Sequence, residues 1–196
     1  DAIWVLYYNL QMVEDKGMET PYDRIDNNTW TYQVFYEMIT ASGKPDGSGV
    51  YDTKTATYGF ATTADSGQGL IYAAGVKFAD KDDDDVPYLA ATVEKLSDVI
   101  PFAADIMNND ACCNLTKDAS QVTTADDIRT IFENGRALFY GEVLQCAARM
   151  RGSATEFGLI TWPKFDESQE NYITYGSAFV PAYAATLVHS GKYVRI

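Results

Sequence analysis

Apolar positions along this chain switch between continuous runs and helical spacing. Residues 2–8 concentrate β-branched and aromatic side chains, Ile3-Trp4-Val5-Leu6-Tyr7-Tyr8, and predict a strand that ends where Asn9 opens a polar stretch toward Gly17. Val34, Phe35, Met38 and Ile39 then lay four apolar groups on one helical face, with Thr31 as N-cap and Gly43 near the stop. The turn formers Pro45-Asp46-Gly47-Ser48, followed by Gly49 and Asp52, make residues 43–55 a loop. Tyr58-Gly59-Phe60 begins a second strand. After it, Asp65-Ser66-Gly67-Gln68-Gly69 predicts a turn suited to a ligand rim, leading into a small-residue helix from Leu70 to Ala74 that Gly75 stops.

The acidic run Asp82 to Asp85 predicts a solvated loop, since its like charges repel, feeding a helix whose first turn favours negative charge. Apolar residues from Leu89 to Met107 keep helical spacing over Tyr88 to Asn108, with Pro101 marking a kink or a break into two helices. Thr124-Ala125-Asp126-Asp127 reads as a capping box before the buried stripe Ile128, Ile131 and Phe132, with Gly135 past the helix end. Ala137 to Tyr140 and Glu156 to Thr161 predict strands, and Tyr172 to Tyr183 a long aromatic extended stretch containing Gly176 and Pro181. Strands alternating with helices predict an α/β layer fold, helices packed on a central sheet, over residues 1–196 as one unit.

Composition narrows the function. Apolar residues are 46% of the 196, enough for a packed core, while 15 Lys+Arg against 28 Asp+Glu leave a formal charge of −13. Nucleic acids and anionic bilayers need clustered cations, so neither is an expected partner. No apolar run approaches the roughly 18 residues that span a bilayer, and no basic segment followed by an apolar one opens the chain. The chain starts at Asp1 and enters an apolar strand within two residues, which reads as a piece of a longer polypeptide. Cys112, Cys113 and Cys146 lack C-x-x-C spacing and are odd in number, favouring buried free thiols over a zinc site or a disulfide framework. A bridge from Cys146 to one of the adjacent pair stays open.

Reactive motifs are sparse. The single histidine, His189, has no G-x-S-x-G elbow to serve and reads as a surface residue. Neither phosphate-cradling glycine motif occurs, and Gly67-Gln68-Gly69 alone is weak. Carboxylate pairs suited to glycoside hydrolysis arise by chance among so many acids. Aromatic surface is in excess instead: 14 Tyr, 9 Phe and 3 Trp, many Tyr in polar neighbourhoods, where rings stack on sugar faces and hydroxyls take hydrogen bonds.

Three segments, in order, resemble the second lobe of extracellular solute-binding proteins of bacterial ABC importers, family 1 type. Val5-Leu6-Tyr7-Tyr8-Asn9 with Gly17 and Pro21 resembles the strand leaving that family's hinge, and Thr29-Trp30 the helix start after it. Phe132 to Phe139 is similar to the family's F-x-x-G-x-A-L/M segment, and Phe157 to Lys164 to its F/Y-G-x-x-P-x-P-K segment. The resemblance implies a periplasmic-binding-protein-like lobe, central sheet with helices packed on it, forming one wall of a cleft that closes over a solute. It implies a non-enzymatic role, a small carbohydrate ligand, a membrane permease as partner, and an extracytoplasmic location anchored through a segment outside this chain. The first lobe and the closing helices would then lie outside residues 1–196, and the isolated lobe would fold but bind feebly. Lys44 to Asp52 departs from the family's calcium-like loop by placing Lys44 and Ser48 where carboxylates stand, so no tight calcium site is expected, nor any cofactor.

Tyr72, Tyr140, Gly141, Glu142 and Trp162 are the candidate cleft residues. Tyr72 follows the Gly-rich turn, and Glu142 leaves the C-terminal end of a strand, where α/β crevices open. Arg149 and Arg151 are candidates for an anionic ligand, with rim pairing to nearby acids as the alternative. Two other classes remain open: a secreted glycosidase or carbohydrate-binding module, also acidic and Tyr-rich, and a surface interaction protein marked by a wide apolar patch.

Overall fold

The structure, a computed structural model, describes residues 3–176. His189 and the part of the aromatic stretch beyond Gly176 lie outside the described residues. The first strand, β1 (Trp4–Asn9), runs into two short helices that the polar stretch had concealed, α1 (Leu10–Asp15) and α2 (Pro21–Asp26). Each starts on a side-chain cap: the Asn9 carboxamide accepts from the Met12 N–H, and Thr20 from the Asp23 N–H. Helix α3 (Tyr32–Ser42) has the expected bounds, with Thr31 as N-cap and Gly43 as C-cap.

After the 43–55 loop come β2 (Tyr58–Thr62) and α4 (Ser66–Ala73). The Gly-rich segment is thus helical from Ser66, and Gly75 at φ +75° follows the helix end. The acidic run does not lead into a helix. It caps a hairpin of β3 (Ala79–Lys81) and β4 (Pro87–Leu89), because the Asp82 carboxylate accepts from the N–H groups of Asp84 and Val86 and closes the turn itself. Helix α5 (Val93–Asn108) therefore starts later than the spacing predicts, on Thr92, and is one helix. Pro101 and Ser97 are both exposed, so the carbonyl that loses its partner meets water.

The remaining elements are β5 (Cys112–Asn114), α6 (Ala125–Glu133), β6 (Ala137–Val143), α7 (Cys146–Arg149) and β7 (Phe157–Ile160). The capping box at α6 is present in full: Thr124 accepts from the Asp127 N–H and Asp127 from the Thr124 N–H, with Gly135 at φ +69° beyond. All three cysteines are free and buried. No helix among the described residues is long and apolar enough to cross a membrane.

Among the described residues the main sheet has the order β5-β2-β6-β1-β7. β2 runs parallel to β5 and β6, each pairing bridged by helices, while β1 runs antiparallel to β6 and β7. Side-chain alternation divides the core between the two faces. Leu6, Tyr8, Phe60 and Phe139 pack with residues of α3, α4 and α5, whereas Tyr7, Ala61 and Tyr140 pack with Ile128, Ile131 and Phe132 of α6. The Gly59 and Phe60 N–H groups both donate to the Ala111 carbonyl, so β2 carries an extra residue and presents both positions to α3. Only glycine fits there, since a methyl on Gly59 would fall on the Ile39 backbone.

Two of the segments that carry the family resemblance meet in space. The Lys164 N–H donates to the Trp30 carbonyl, the Tyr32 N–H to the Lys164 carbonyl, and the fully buried Lys164 ammonium to the Asn28 side chain at 2.7 Å.

Candidate functional site

The C-terminal ends of β2 and β6 point the same way, and the helices that follow them pack on opposite faces of the sheet, α4 through Leu70 and Ala73 and α7 through Cys146, a place where α/β sheets open a crevice. At this edge the Thr62 and Ser66 hydroxyls pair with each other, and Thr62 also donates to the Gly141 carbonyl at 3.1 Å. Gly141 is buried, and a Cβ there would press on the Ser66 and Thr62 hydroxyl oxygens at 2.7 and 2.9 Å. Its role in this arrangement is to leave room for the pair.

Beside that pair stands a stack of three rings. Tyr175 lies between Trp4, at 5.7 Å and 6° between planes, and Tyr72, at 5.2 Å and 25°. Phe78 meets Tyr72 edge-on. The Tyr175 hydroxyl donates to the Asp65 carbonyl at 3.2 Å, and the Trp4 N–H donates to the Tyr175 carbonyl at 3.0 Å, so the stack ties β1 to the start of α4. Burial, with Asp65 and Glu142 nearby, pushes the Tyr175 phenol up, so it stays protonated as a donor. The Asp65 side chain caps nothing and stays exposed at the same edge.

Glu142 joins this edge to a small cavity of 120 Å³ between the start of α6, the end of β6 and α7. Tyr140, Arg129, Arg149, Asp126 and Cys146 line it with Glu142. Burial raises the Glu142 carboxyl, the Val143 N–H donating at 2.8 Å opposes this, Asp65 raises it further, and Arg149 and Arg129 pull it down. Arg129 is engaged, with Asp126 at 2.5 Å and Glu133 at 3.4 Å, whereas Arg149 is exposed and comes no nearer to Asp126 than 3.9 Å.

Of the five candidates, the structure brings Tyr140 and Glu142 to one cavity and sets Tyr72 in the ring stack. The Tyr140 ring is buried and its hydroxyl meets the Cys146 sulfur at 3.6 Å, leaving only its tip to the cavity. Trp162 is placed otherwise: it is fully buried, packs against Phe60 and Gly69, and donates its indole N–H to the Trp4 carbonyl at 3.2 Å. It backs the stack rather than facing solvent, because the ring fills the space that the helical Gly69 leaves open. Arg151 is exposed and outside the cavity. Asp65 and the half-buried Tyr175 are rim residues absent from the sequence candidates, and Trp4, buried at 8% exposure, backs Tyr175 from the core. Asp65 lies in the Gly-rich turn expected to form a rim, but only the tertiary fold brings Trp4 and Tyr175 to it.

No family model matches the chain, and no curated protein matches it. Solved structures do. M. tuberculosis UspC superposes with a TM-score of 0.60 at 17% identity, over 98% of this chain and 51% of UspC. The ABC substrate-binding protein Lmo0181 from Listeria monocytogenes, in complex with cycloalternan, gives 0.58 at 10% identity, over 86% of this chain and 38% of that one. UgpB from Mycobacterium tuberculosis, in complex with glycerophosphocholine, gives 0.56 at 16%, over 89% and 39%. The fold is that of a periplasmic-binding-protein-like lobe. The chain spans about half of UspC and under two-fifths of Lmo0181.

Proposed function

We propose that this lobe forms one wall of a ligand cleft in the substrate-binding component of an ABC importer, and that its ligand is a carbohydrate. The observation that carries the reading is the Trp4–Tyr175–Tyr72 stack flanked by Asp65 and Glu142 at the open end of the parallel strands. Apolar ring surface beside carboxylate acceptors suits a pyranose, which offers C–H faces and hydroxyl edges together. The cycloalternan bound to Lmo0181 agrees with this choice. The glycerophosphocholine bound to UgpB makes a phosphodiester the competing ligand, since fold does not fix function. Against that competitor stand the carboxylates at the rim and the pairing of Arg129 with Asp126 and Glu133.

Capture here needs no chemistry on the ligand. The stack and the carboxylates would hold one side, a second lobe the other, and closure would follow from a ligand touching both. The protein would sit outside the cytoplasmic membrane, anchored by a segment beyond this chain, and deliver its ligand to a membrane permease. Thermal-shift screening of the complete protein against maltotriose, cycloalternan, glycerophosphocholine, amino acids and peptides tests the ligand class, because a ligand of the native state raises Tm by mass action. A shift with saccharides supports the reading. A shift with glycerophosphocholine or peptides alone overturns the carbohydrate assignment, and saccharide hydrolysis abolished by Glu142→Gln replaces transport with catalysis.

A further inference from the structure

We propose that Tyr7 is a positioning residue: its buried hydroxyl clamps the turn between β6 and α7 and so fixes where Glu142 and the residues after it stand at the rim. Tyr7 is fully buried on β1, directly opposite Tyr140 in the sheet register. Its ring packs among Phe132, Tyr140 and Phe157 at 5.5–6.5 Å, so the ring alone accounts for its packing. The hydroxyl does something else. It donates toward the Val143 carbonyl at 2.8 Å, with the Leu144 carbonyl at 3.0 Å sharing the proton, and accepts from the Ala147 N–H at 3.0 Å.

One oxygen thus reaches three backbone groups at the point where the strand bends into α7. The Leu144 N–H is held separately, by the Ile3 carbonyl at 2.7 Å, and the Ala147 N–H is shared between the tyrosine and the Leu144 carbonyl at 3.1 Å, so the tyrosine ties to β1 a turn that its own backbone bond closes only locally. The segment that turns there carries Glu142, Gln145, Cys146 and Arg149, all lining the 120 Å³ cavity. A rim held in one conformation before the ligand arrives loses less entropy on binding. Phenylalanine keeps the ring and deletes the clamp.

The consequence for ligand affinity rests on the proposed binding role, whereas the clamp itself does not. The test compares Tyr7→Phe with Phe157→Leu, which loosens the same ring cluster and keeps the hydroxyl, in the complete protein. Hydrogen exchange without ligand reads the clamp: Tyr7→Phe should speed exchange several-fold at residues 143–147 and leave the rest of the sheet unchanged, while Phe157→Leu should lower Tm without that local change. Exchange that rises everywhere, or equally in both variants, overturns the clamp. Titration with maltotriose and cycloalternan, well below Tm, reads the consequence: Tyr7→Phe should bind the sugar that wild type binds roughly tenfold more weakly, the loss of about one net hydrogen bond. Equal affinity overturns the positioning role. If wild type binds neither sugar and does bind peptides, the carbohydrate reading fails, and exchange still decides the clamp.

Discussion

Glu142 is half-buried at the end of β6, and taking its carboxylate out of water outweighs the help it receives from the Val143 N–H and two arginines. Its folded pKa therefore stands above its unfolded one. As pH rises from the ordinary carboxylate value through the raised one, the unfolded chain gives up this proton first and stability falls; the cost persists at neutral pH. Glu142→Gln should then melt higher than wild type at neutral pH, and the two melting points should converge below the ordinary carboxylate range. A lower Tm for the variant at neutral pH would contradict this account of the site. Gly59→Ala tests the opposite kind of residue, one chosen for space: with the Ile39 backbone in the way, it should cost roughly 1–3 kcal/mol in denaturant unfolding. At this scale the sequence shows that aromatic and acidic side chains are in excess but not where each one goes. Trp162 and Trp4 both sit in apolar strand-like runs and both end buried, but only the space left by Gly69 takes Trp162 fully out of solvent, while Trp4 lies against the half-buried Tyr175.

Helix starts were the most legible elements, since threonine hydroxyls at Thr31 and Thr124 announce themselves locally. Replacing Thr124 by Ala should remove half of the capping box and cost about 1 kcal/mol, lowering Tm by roughly 2–4 °C in thermal melts. A variant with unchanged Tm would mean that Asp127 alone holds the helix start. Elements defined by partners were hidden. β5 is three residues, Cys112–Asn114, whose strand character comes from pairing with β2. The β3–β4 hairpin depends on how one side chain, Asp82, folds back on its own turn, and its exposed Tyr88 and Leu89 mimic the start of the next helix. Pro101 predicted a kink or a break into two helices, and one helix runs through it because the freed Ser97 carbonyl is exposed to water.

For the whole molecule, the alternation of strands and helices was enough to indicate a layered α/β fold, and the family resemblance supplied the lobe. The mixed sheet, with β1 inserted antiparallel between β6 and β7, could not be read from spacing, because it depends on which edges pair. The same topology brings Trp4 of β1 and Tyr175, well over a hundred residues later, beside Tyr72 and Asp65. That convergence is the basis for reading this edge as a ligand wall. Isothermal titration of the complete protein and its Tyr175→Ala variant with a panel of gluco-oligosaccharides, maltotriose and cycloalternan included, tests it most directly. The account predicts saturable binding by wild type, weakened tenfold or more in the variant while both remain folded. Binding of equal strength in both, or uptake of peptides and glycerophosphocholine with no saccharide bound, would contradict it.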